Sequence, residues 1–257
     1  MKHIDLNCDM GELAEAIADG TQEALLQYIS SANIACGGHA GDEQMMRTTI
    51  EQAQRHNVAI GAHPGYEDRA NFGREVLQLS PEEIAASVHR QILALGEVAT
   101  SIGARVGHVK PHGALYNQAA RDPQVARAIA EGVRRWRSDV VLVGLAGSAM
   151  LEEFRIAGFP VAPEAFADRR YEADGSLRSR KFPDALLTNP EDAAEQALRI
   201  VEHASVVALD GTRVPLHAST ICIHGDTSGA PKIAAAVRQR LQQAGIRIAP
   251  LHPGPNQ

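Results

Sequence analysis

The sequence has few aromatic residues and lacks any excess of positive charge. Aromatic side chains make up 4% of the 257 residues, and Trp136 is the one tryptophan. Platforms that stack bases or sugars are built from aromatic side chains, so this composition disfavours a polysaccharide substrate. The formal net charge of −6 provides no basic surface for nucleic acid or an anionic membrane. We therefore expect a small molecule or another protein as the partner.

Cysteine is scarce, and long apolar runs are missing. Cys8, Cys36 and Cys222 are odd in number and form no C-x-x-C pair, which excludes a disulfide framework and a cysteine-rich zinc site. Residues 1–9 are polar and charged where a signal peptide needs a continuous apolar segment. No stretch approaches the ~20 apolar residues of a membrane span. These features predict a reducing, cytoplasmic location.

Short apolar runs alternate with longer amphipathic stretches along the chain. This alternation is typical of βα units around a parallel sheet, and no serine-rich, proline-rich or charged linker interrupts it. We predict one α/β domain over residues 1–257, an irregular (β/α) barrel with seven or eight parallel strands, with an open doubly wound sheet as the alternative. The predicted strands are Ile4–Cys8, Asn33–Cys36, Val58–Ala62, Arg105–Lys110, Val140–Gly144, Val161–Ala165, Thr220–His224 and Ile246–Ala249.

Five stretches have the pattern of helices. After Ser80 the sequence has a capping box with Glu83, a proline at the first helical position and one apolar face. Two polar segments, Gly65–Arg74 and Ala167–Lys181, interrupt the alternation and predict active-site loops or lids. The other predicted helices are Asp42–His56, Pro123–Arg135, Pro190–His203 and Ala230–Gln243.

Polar residues are concentrated at the ends of the predicted strands. Ligands of α/β barrels and open sheets bind beyond the carboxyl ends of the strands, so these residues predict one site. A single histidine or aspartate at a strand end is usually a cap or a hydrogen-bonded core residue, and the prediction depends on their number. They are Asn7, Asp9, His39, His63, Lys110, His112, His224 and Asp226.

The first strand carries acidic and amide side chains at alternate positions. Alternation places Asp5, Asn7 and Asp9 on one face, where buried carboxylates need a cation, a lysine or a substrate ammonium group as partner. The alternative is that they cap the following helix. Lys110 ends a buried strand, so we expect it either to pair with Asp9 or another carboxylate, or to stabilise a developing oxyanion.

Three histidines suit either a metal or acid–base chemistry. By residue type, His39, His63 and His112 with Asp9 could bind one divalent metal ion, although no H-E-x-x-H motif is present. The same side chains suit general acids, general bases and oxyanion donors. The sequence leaves both interpretations open.

Two segments suit the binding of anions. The glycine-rich loop of Asn33–Asp42, with Gly37 and Gly38, resembles an anion nest, while no dinucleotide or P-loop motif is present. If ATP is used, its site is therefore unconventional or lies on a different chain. The segment after Ala167 includes Arg178 and Arg180, whose guanidinium groups suit carboxylates and phosphates, or else form a solvated basic loop.

Six blocks of sequence, in order, resemble the LamB/YcsF family along essentially the whole chain. The resemblance implies an irregular β/α barrel related to the glycoside hydrolase and polysaccharide deacetylase superfamily. It also implies ATP-dependent cleavage of the cyclic amide 5-oxoproline to L-glutamate with two partner subunits, with ATP and Mg²⁺ bound on this chain or on a partner. The blocks are Asp5–Glu12, Asn33–Asp42, Gly61–Arg74, Val109–Tyr116, Glu164–Tyr171 with Arg178 and Arg180, and Cys222–Asp226.

An unstrained lactam is a poor electrophile, so coupling to ATP suggests that its amide oxygen is phosphorylated before water adds. In our hypothesis Asp9 or Asp226 activates the water, and His63 and His112 carry protons to the ring nitrogen. Lys110 and the Gly37–Gly38 backbone stabilise negative charge. The expected substrate contacts are Asn7, Gly37, Gly38, His39, Arg178, Arg180 and His224.

Two other functions fit the same residues. One is a metal-dependent deacetylase or amidohydrolase that acts without ATP, in which metal-bound water is the nucleophile. The other is a non-catalytic subunit that binds the lactam or regulates its partners. The number of acid–base residues at the strand ends argues against the second.

Overall fold

Seven parallel strands close into a barrel in the computed structural model, which describes residues 2–227 and 229–251. Strands β1 to β6 and β9 form the barrel, and β9 closes it by pairing with both β6 and β1. Strand β10 adds an eighth parallel strand at the start of β1. The predicted barrel is confirmed. The strands are β1 (His3–Met10), β2 (Ser31–Ala35), β3 (Ala59–His63), β4 (Val106–Val109), β5 (Val141–Leu145), β6 (Val161–Phe166), β7 (Ser205–Val207), β8 (Arg213–Pro215), β9 (Thr220–Cys222) and β10 (Arg247–Ile248).

The five predicted helices are confirmed, and four shorter ones were not predicted because five to eight residues carry little periodicity. Within the described residues, no helix is both long enough and apolar enough to cross a membrane. The helices are α1 (Ala14–Ala18), α2 (Thr21–Leu26), α3 (Glu43–Arg55), α4 (Pro81–Ser101), α5 (Gly113–Ala119), α6 (Pro123–Arg134), α7 (Ala149–Ile156), α8 (Pro190–His203) and α9 (Ala230–Gln243).

Caps fix the starts of the two helices that follow β2 and the loop after β3. The Asp42 carboxylate accepts the backbone N–H of Met45 at the start of α3. At the start of α4, Ser80 and Glu83 form the predicted capping box in both directions. Such caps contribute about 1 kcal/mol each. They determine where the loops beside the barrel mouth end.

A short antiparallel hairpin, β7–β8, was not predicted. Its turn contains Asp210 and Gly211, a pair that is typical of tight hairpins, and Gly211 has a positive φ of 88°. The backbone N–H of Leu209 donates to the carbonyl of Tyr171 at 2.9 Å. The hairpin therefore supports the polar segment that follows β6.

The interior face of β1 is polar, as the alternation predicts. Asp5 and Asn7 are almost fully buried, and the Asp5 carboxylate accepts hydrogen bonds from the hydroxyls of Ser30, Ser31 and Thr220 at 2.7, 2.7 and 2.5 Å. Burial raises the pKa of Asp5 to about 6, despite these three donors. In the lower layer of the interior, the Asp5 carboxyl group is thus surrounded by neutral donors.

Candidate active site

A cleft of about 530 Å³ lies at the carboxyl ends of the barrel strands. It is bounded by the loop that begins after β3 and by the arginine-containing segment after β6. The structure therefore confirms that most of the predicted strand-end residues come together. The strand-end residues that line the cleft are Asp9, His63, Lys110, His112, His224 and Asp226, and Arg178 and Arg180 of the predicted arginine segment line it as well.

Lys110 is the buried cation at the base of the cleft, with 3% of its side chain exposed. Its Nζ lies 3.0 Å from Oδ1 of Asp9 and 2.9 Å from Oε1 of Glu164. Although burial alone lowers the pKa of Lys110, the charges of Asp9 and Glu164 raise it well above its usual value. The structure thus confirms the predicted pairing with Asp9. Glu164, inside β6, was not predicted.

Asp9 is an ionised carboxylate that faces the cleft. Its Oδ1 accepts hydrogen bonds from Lys110 and from Asn33 Nδ2, while its Oδ2 lies 3.3 Å from Nε2 of His63. Burial alone raises the pKa of Asp9, but the charges of His63 and Lys110 lower it well below the usual range. Asp9 therefore forms the negative half of the ion pair at the base of the cleft.

Three histidines and Glu12 form a cluster on one wall of the cleft. Nδ1 of His112 lies 3.0 Å from Nε2 of His63, and the His39 ring stacks on His112 with centroids 3.7 Å apart. Oε1 of Glu12 lies 2.9 Å from Nε2 of His39 and 3.2 Å from Nδ1 of His112. The four candidate ligand atoms all lie within 4.8 Å of one another. The acid in this cluster is Glu12, whereas the predicted metal site grouped the three histidines with Asp9.

A second acid–base pair, Asp168 and His224, lies across the cleft. The Asp168 carboxylate accepts hydrogen bonds from the ring Nδ1 of His224 at 2.8 Å and from its backbone N–H at 2.9 Å. Burial raises the pKa of Asp168, but interaction with His224 lowers it below its usual value. The ring of Phe166 stacks on His224. Asp168 was not predicted, although it also follows a barrel strand.

The mouth of the cleft carries several arginines in ion pairs. Oδ2 of Asp226 lies 2.7 Å from a guanidinium nitrogen of Arg74 and 3.0 Å from one of Arg180. Arg178 is paired with Glu172 and Asp184 of its own segment. The loop arginines are therefore held in place at the entrance, where Asp226 neutralises part of their charge.

Four predicted substrate contacts do not line the cleft, and two of them are Asn7 and His39. Asn7 lies below Lys110, where it donates to Glu164 and Thr220. His39 lies behind His112 and is 1% exposed. Because their side chains are used in the core and in the histidine cluster, the prediction that Asn7 and His39 contact substrate directly is corrected.

The other two, Gly37 and Gly38, line a separate groove of about 810 Å³ beside α3 and α4. A Cβ atom at Gly38 would clash with the side-chain amide of Gln91, so the close approach that glycine permits here is to a side chain of α4. The prediction that the Gly37–Gly38 backbone stabilises charge in the cleft is therefore wrong.

Comparison with known proteins finds relatives of nearly the same length. The chain is 54% identical over 248 residues to a 5-oxoprolinase subunit from Chloroflexus aggregans, covering 96% of this chain and 98% of that protein. It superimposes on the crystal structure of a lactam utilization protein from Thermus thermophilus with a TM-score of 0.90 and 45% identity, covering 97% and 99% of the two chains.

A more distant likeness concerns the fold alone. A family 4 carbohydrate esterase from Streptomyces lividans superimposes with a TM-score of 0.51 at 10% identity, covering 99% of this chain and 95% of the esterase.

The LamB/YcsF family model matches residues 4–255. Since this match and the similarity to the Chloroflexus protein both extend along nearly the whole sequence, the chain belongs to the LamB/YcsF family.

Proposed function

We propose that this chain carries the ring-opening site of an ATP-dependent 5-oxoprolinase, which converts 5-oxoproline to L-glutamate in the cytoplasm. The observation that carries the proposal is the cleft itself, which is lined by the Asp9–Lys110 ion pair and by His224, whose ring is held by the buried Asp168. The names of the similar proteins, a 5-oxoprolinase subunit in one case and a lactam utilization protein in the other, support this substrate. The first of these names also supports assembly with other chains, for which we propose two partners.

The reaction requires a better electrophile than the lactam. Transfer of a phosphoryl group from ATP to the amide oxygen produces an activated ring, with ADP as the other product. A first water then adds to the ring carbon, and the bond from that carbon to nitrogen breaks as the nitrogen gains a proton, which leaves an acyl phosphate of glutamate. A second water hydrolyses this acyl phosphate to L-glutamate and phosphate. Because the sequence has no P-loop motif, we place the binding of ATP and Mg²⁺ on one of the partner subunits.

The Asp168–His224 pair suits the activation of water. Asp168 holds the proton of Nδ1 on His224, which leaves Nε2 of the neutral ring to accept a proton. We therefore assign the general base to His224, because the depressed pKa of Asp9 makes its carboxylate a weak base and Asp226 is paired with two arginines. Lys110 and Asp9 provide fixed charges beside the reacting amide.

Arginines at the mouth suit the anionic parts of the substrate. Arg74 and Arg180 share Asp226, so a substrate carboxylate or phosphate that enters between them exchanges one anionic partner for another. A free 5-oxoproline carboxylate and an added phosphoryl group present the same chemistry to these residues. The arrangement thus favours an anionic substrate of small size.

The decisive experiment measures glutamate release from 5-oxoproline and ATP by the purified chain alone and with its candidate partner subunits. We expect turnover only in the mixture, and a loss of about 10²–10⁴-fold for His224→Gln. His203→Gln, at the exposed end of α8, is the matched control and should keep full turnover. Equal turnover of folded His224→Gln and the control would refute the assignment of His224.

A metal-dependent amidohydrolase that acts without ATP is the second candidate, and the Glu12–His63–His112 cluster favours it. The same assay separates the two functions. Amide hydrolysis that continues without ATP and stops after chelation would support the second candidate. Dependence on ATP and on the partner subunits would support the 5-oxoprolinase.

A further inference from the structure

We propose that Glu12, His63 and His112 bind a divalent transition-metal ion, with Zn²⁺ as the best match, on the wall of the cleft. The inference is independent of the ring-opening activity, because it concerns only the ligand atoms of these three side chains. It rests on the way their hydrogen bonds fix the lone pairs of the two histidine rings.

Each of the two rings has one nitrogen committed to a backbone carbonyl. Nδ1 of His63 lies 2.7 Å from the carbonyl oxygen of Lys110, and Nε2 of His112 lies 2.9 Å from that of Phe72. A carbonyl oxygen only accepts hydrogen bonds, so both of these nitrogens carry protons. A histidine binds a metal through an unprotonated nitrogen, so in the metal-bound form Nε2 of His63 and Nδ1 of His112 would be the ligand atoms.

These two nitrogens lie close together. They are 3.0 Å apart, a distance at which two unprotonated nitrogens repel unless they share a proton or a metal ion. Oε1 of Glu12 adds a third acceptor, 3.2 Å from Nδ1 of His112 and 3.8 Å from Nε2 of His63. Oδ2 of Asp9 also lies 3.3 Å from Nε2 of His63. One shared proton satisfies two of these atoms, whereas a metal ion can bind both nitrogens and the Glu12 oxygen together.

The distances among the three atoms, and the hydrogen bonds of the outer ring nitrogens, fit a metal site. In a tetrahedral zinc site, neighbouring ligand atoms are about 3.3 Å apart, since each lies about 2.0–2.1 Å from the ion. The observed separations of 3.0, 3.2 and 3.8 Å lie around that value. Histidine ligands of metals usually donate their second N–H to a carbonyl or carboxylate, as both rings do here.

His39 has a different part in this arrangement. Its ring is parallel to that of His112, with 3° between the planes, so the in-plane lone pairs of the two rings cannot meet at one ion. Its Nε2 instead lies 2.9 Å from Oε1 of Glu12, where a protonated nitrogen orients the carboxylate. His39 also does not line the cleft, unlike the three proposed ligands. We therefore assign it to the outer shell.

Two nitrogens and one carboxylate oxygen are ligands that Zn²⁺ accepts, and a set of three leaves one position open. The ligand atoms face the cleft, so the open position would be available to water or to substrate. A bound metal supplies an acidic water or polarises an amide oxygen at that position.

The test is direct measurement of metal binding by the full chain. We would remove metal with a chelator, reload with Zn²⁺, and determine the stoichiometry and the affinity by competition with a chromophoric chelator. We expect one ion per chain, and an affinity loss of more than about 100-fold in His63→Gln and Glu12→Gln. For His39→Gln we expect full stoichiometry with a loss of about 10-fold.

His224→Gln is the matched control, because it removes a histidine of the same cleft that lies outside the cluster. Circular dichroism identifies any variant that fails to fold, and the visible absorption of the Co²⁺-loaded wild type reports nitrogen and oxygen ligands without any variant. Absence of stoichiometric binding, or an equal loss in His224→Gln and His63→Gln, would overturn the site and leave a shared proton between the rings. The glutamate assay still tests the proposed function, whichever result the metal measurement gives.

Discussion

Strand β1 carries two buried carboxyl groups four residues apart, and their environments are opposite. Asp5 is surrounded by three hydroxyls, and burial raises its pKa to about 6. Asp9 lies beside Lys110 and His63, whose charges outweigh burial and lower its pKa well below the usual range. The residue type and the face of the strand are the same in the two cases. The two positions differ in whether a cation lies beside the carboxylate. His63 of β3 and Lys110 after β4 are next to Asp9 but not next to Asp5.

Strand β6 and the residues after it also carry two acids four residues apart, but here the lower acid has a cation as its partner. Glu164 lies inside the barrel, where it is bonded to Tyr116 and Asn7 and paired with Lys110. Asp168, four residues later, is fully buried and accepts a hydrogen bond from His224, which lines the cleft. The lower pair of acids belongs to the interior, and the upper pair belongs to the site. In this barrel, the position of an acid along its strand decides whether it belongs to the interior or to the site at the carboxyl ends.

The largest expected effect comes from removing the cation that connects the two layers. Lys110→Met leaves Asp9 and Glu164 buried without their shared partner, which should lower the free energy of unfolding by about 3–5 kcal/mol. Urea unfolding measures the change. Lys232→Met, on the exposed side of α9, should change stability by less than about 0.5 kcal/mol. A small loss for Lys110→Met would mean that the two acids do not depend on the lysine charge.

The rule that ligands bind at the carboxyl ends of strands predicted much of the site. It brought together Asp9, His63, Lys110 and His224, because parallel strands of one barrel end at one rim. Asp168 lies two residues after the end of β6. The same rule would have predicted it if it had been applied to the first residues of the loop as well as to the strand end.

Other residues of the site could not be predicted from pattern alone. Glu12 follows β1 and Gly11, whose φ of 71° turns the chain back towards the cleft, and sequence does not specify that direction. Glu164 is an acid within a strand, where only its partner explains its burial. Gly38 signals a close approach, but its neighbour is Gln91 of α4 rather than a ligand. Contacts between distant elements decide each case.

The second prediction compares the two acids of β1 in turnover. In the reconstituted glutamate assay, Asp9→Asn should reduce turnover by about 10³-fold, because it removes a fixed charge beside the reacting amide. Asp5→Asn, in the lower layer, should stay within about 10-fold of wild type, since the Asp5 carboxylate accepts hydrogen bonds from three hydroxyls of the interior and does not line the cleft. Similar losses in the two folded variants would remove the distinction between the layers.

The third prediction concerns the acids of β6 and its following segment. Asp168→Asn keeps the shape of the side chain but no longer fixes the proton on Nδ1 of His224, so turnover should fall by about 10²-fold. The dependence of turnover on pH should change as well, which a purely structural effect would not produce. Unchanged turnover and an unchanged pH profile would show that His224 acts without Asp168.

The smallest expected effect tests the raised pKa of Asp5 through stability. Its pKa of about 6 in the folded chain exceeds the ordinary value of 3.8, so between these values the folded state retains a proton that the unfolded chain has released. The stability that depends on this proton is complete below about pH 4 and decreases as the pH rises through about 6. Asp5→Asn has no proton to lose.

The difference in unfolding free energy between Asp5→Asn and wild type should therefore move in favour of the variant by about 2 kcal/mol between about pH 4.5 and about pH 7. Urea unfolding at the two pH values measures this shift, and the contributions of all other acids cancel in the difference. A shift of the opposite sign would mean that Asp5 is stabilised as a carboxylate, as Asp9 is. The three hydroxyls around Asp5 would then stabilise its carboxylate as Lys110 and His63 stabilise that of Asp9. The pKa values of Asp5 and Asp9 would no longer shift in opposite directions.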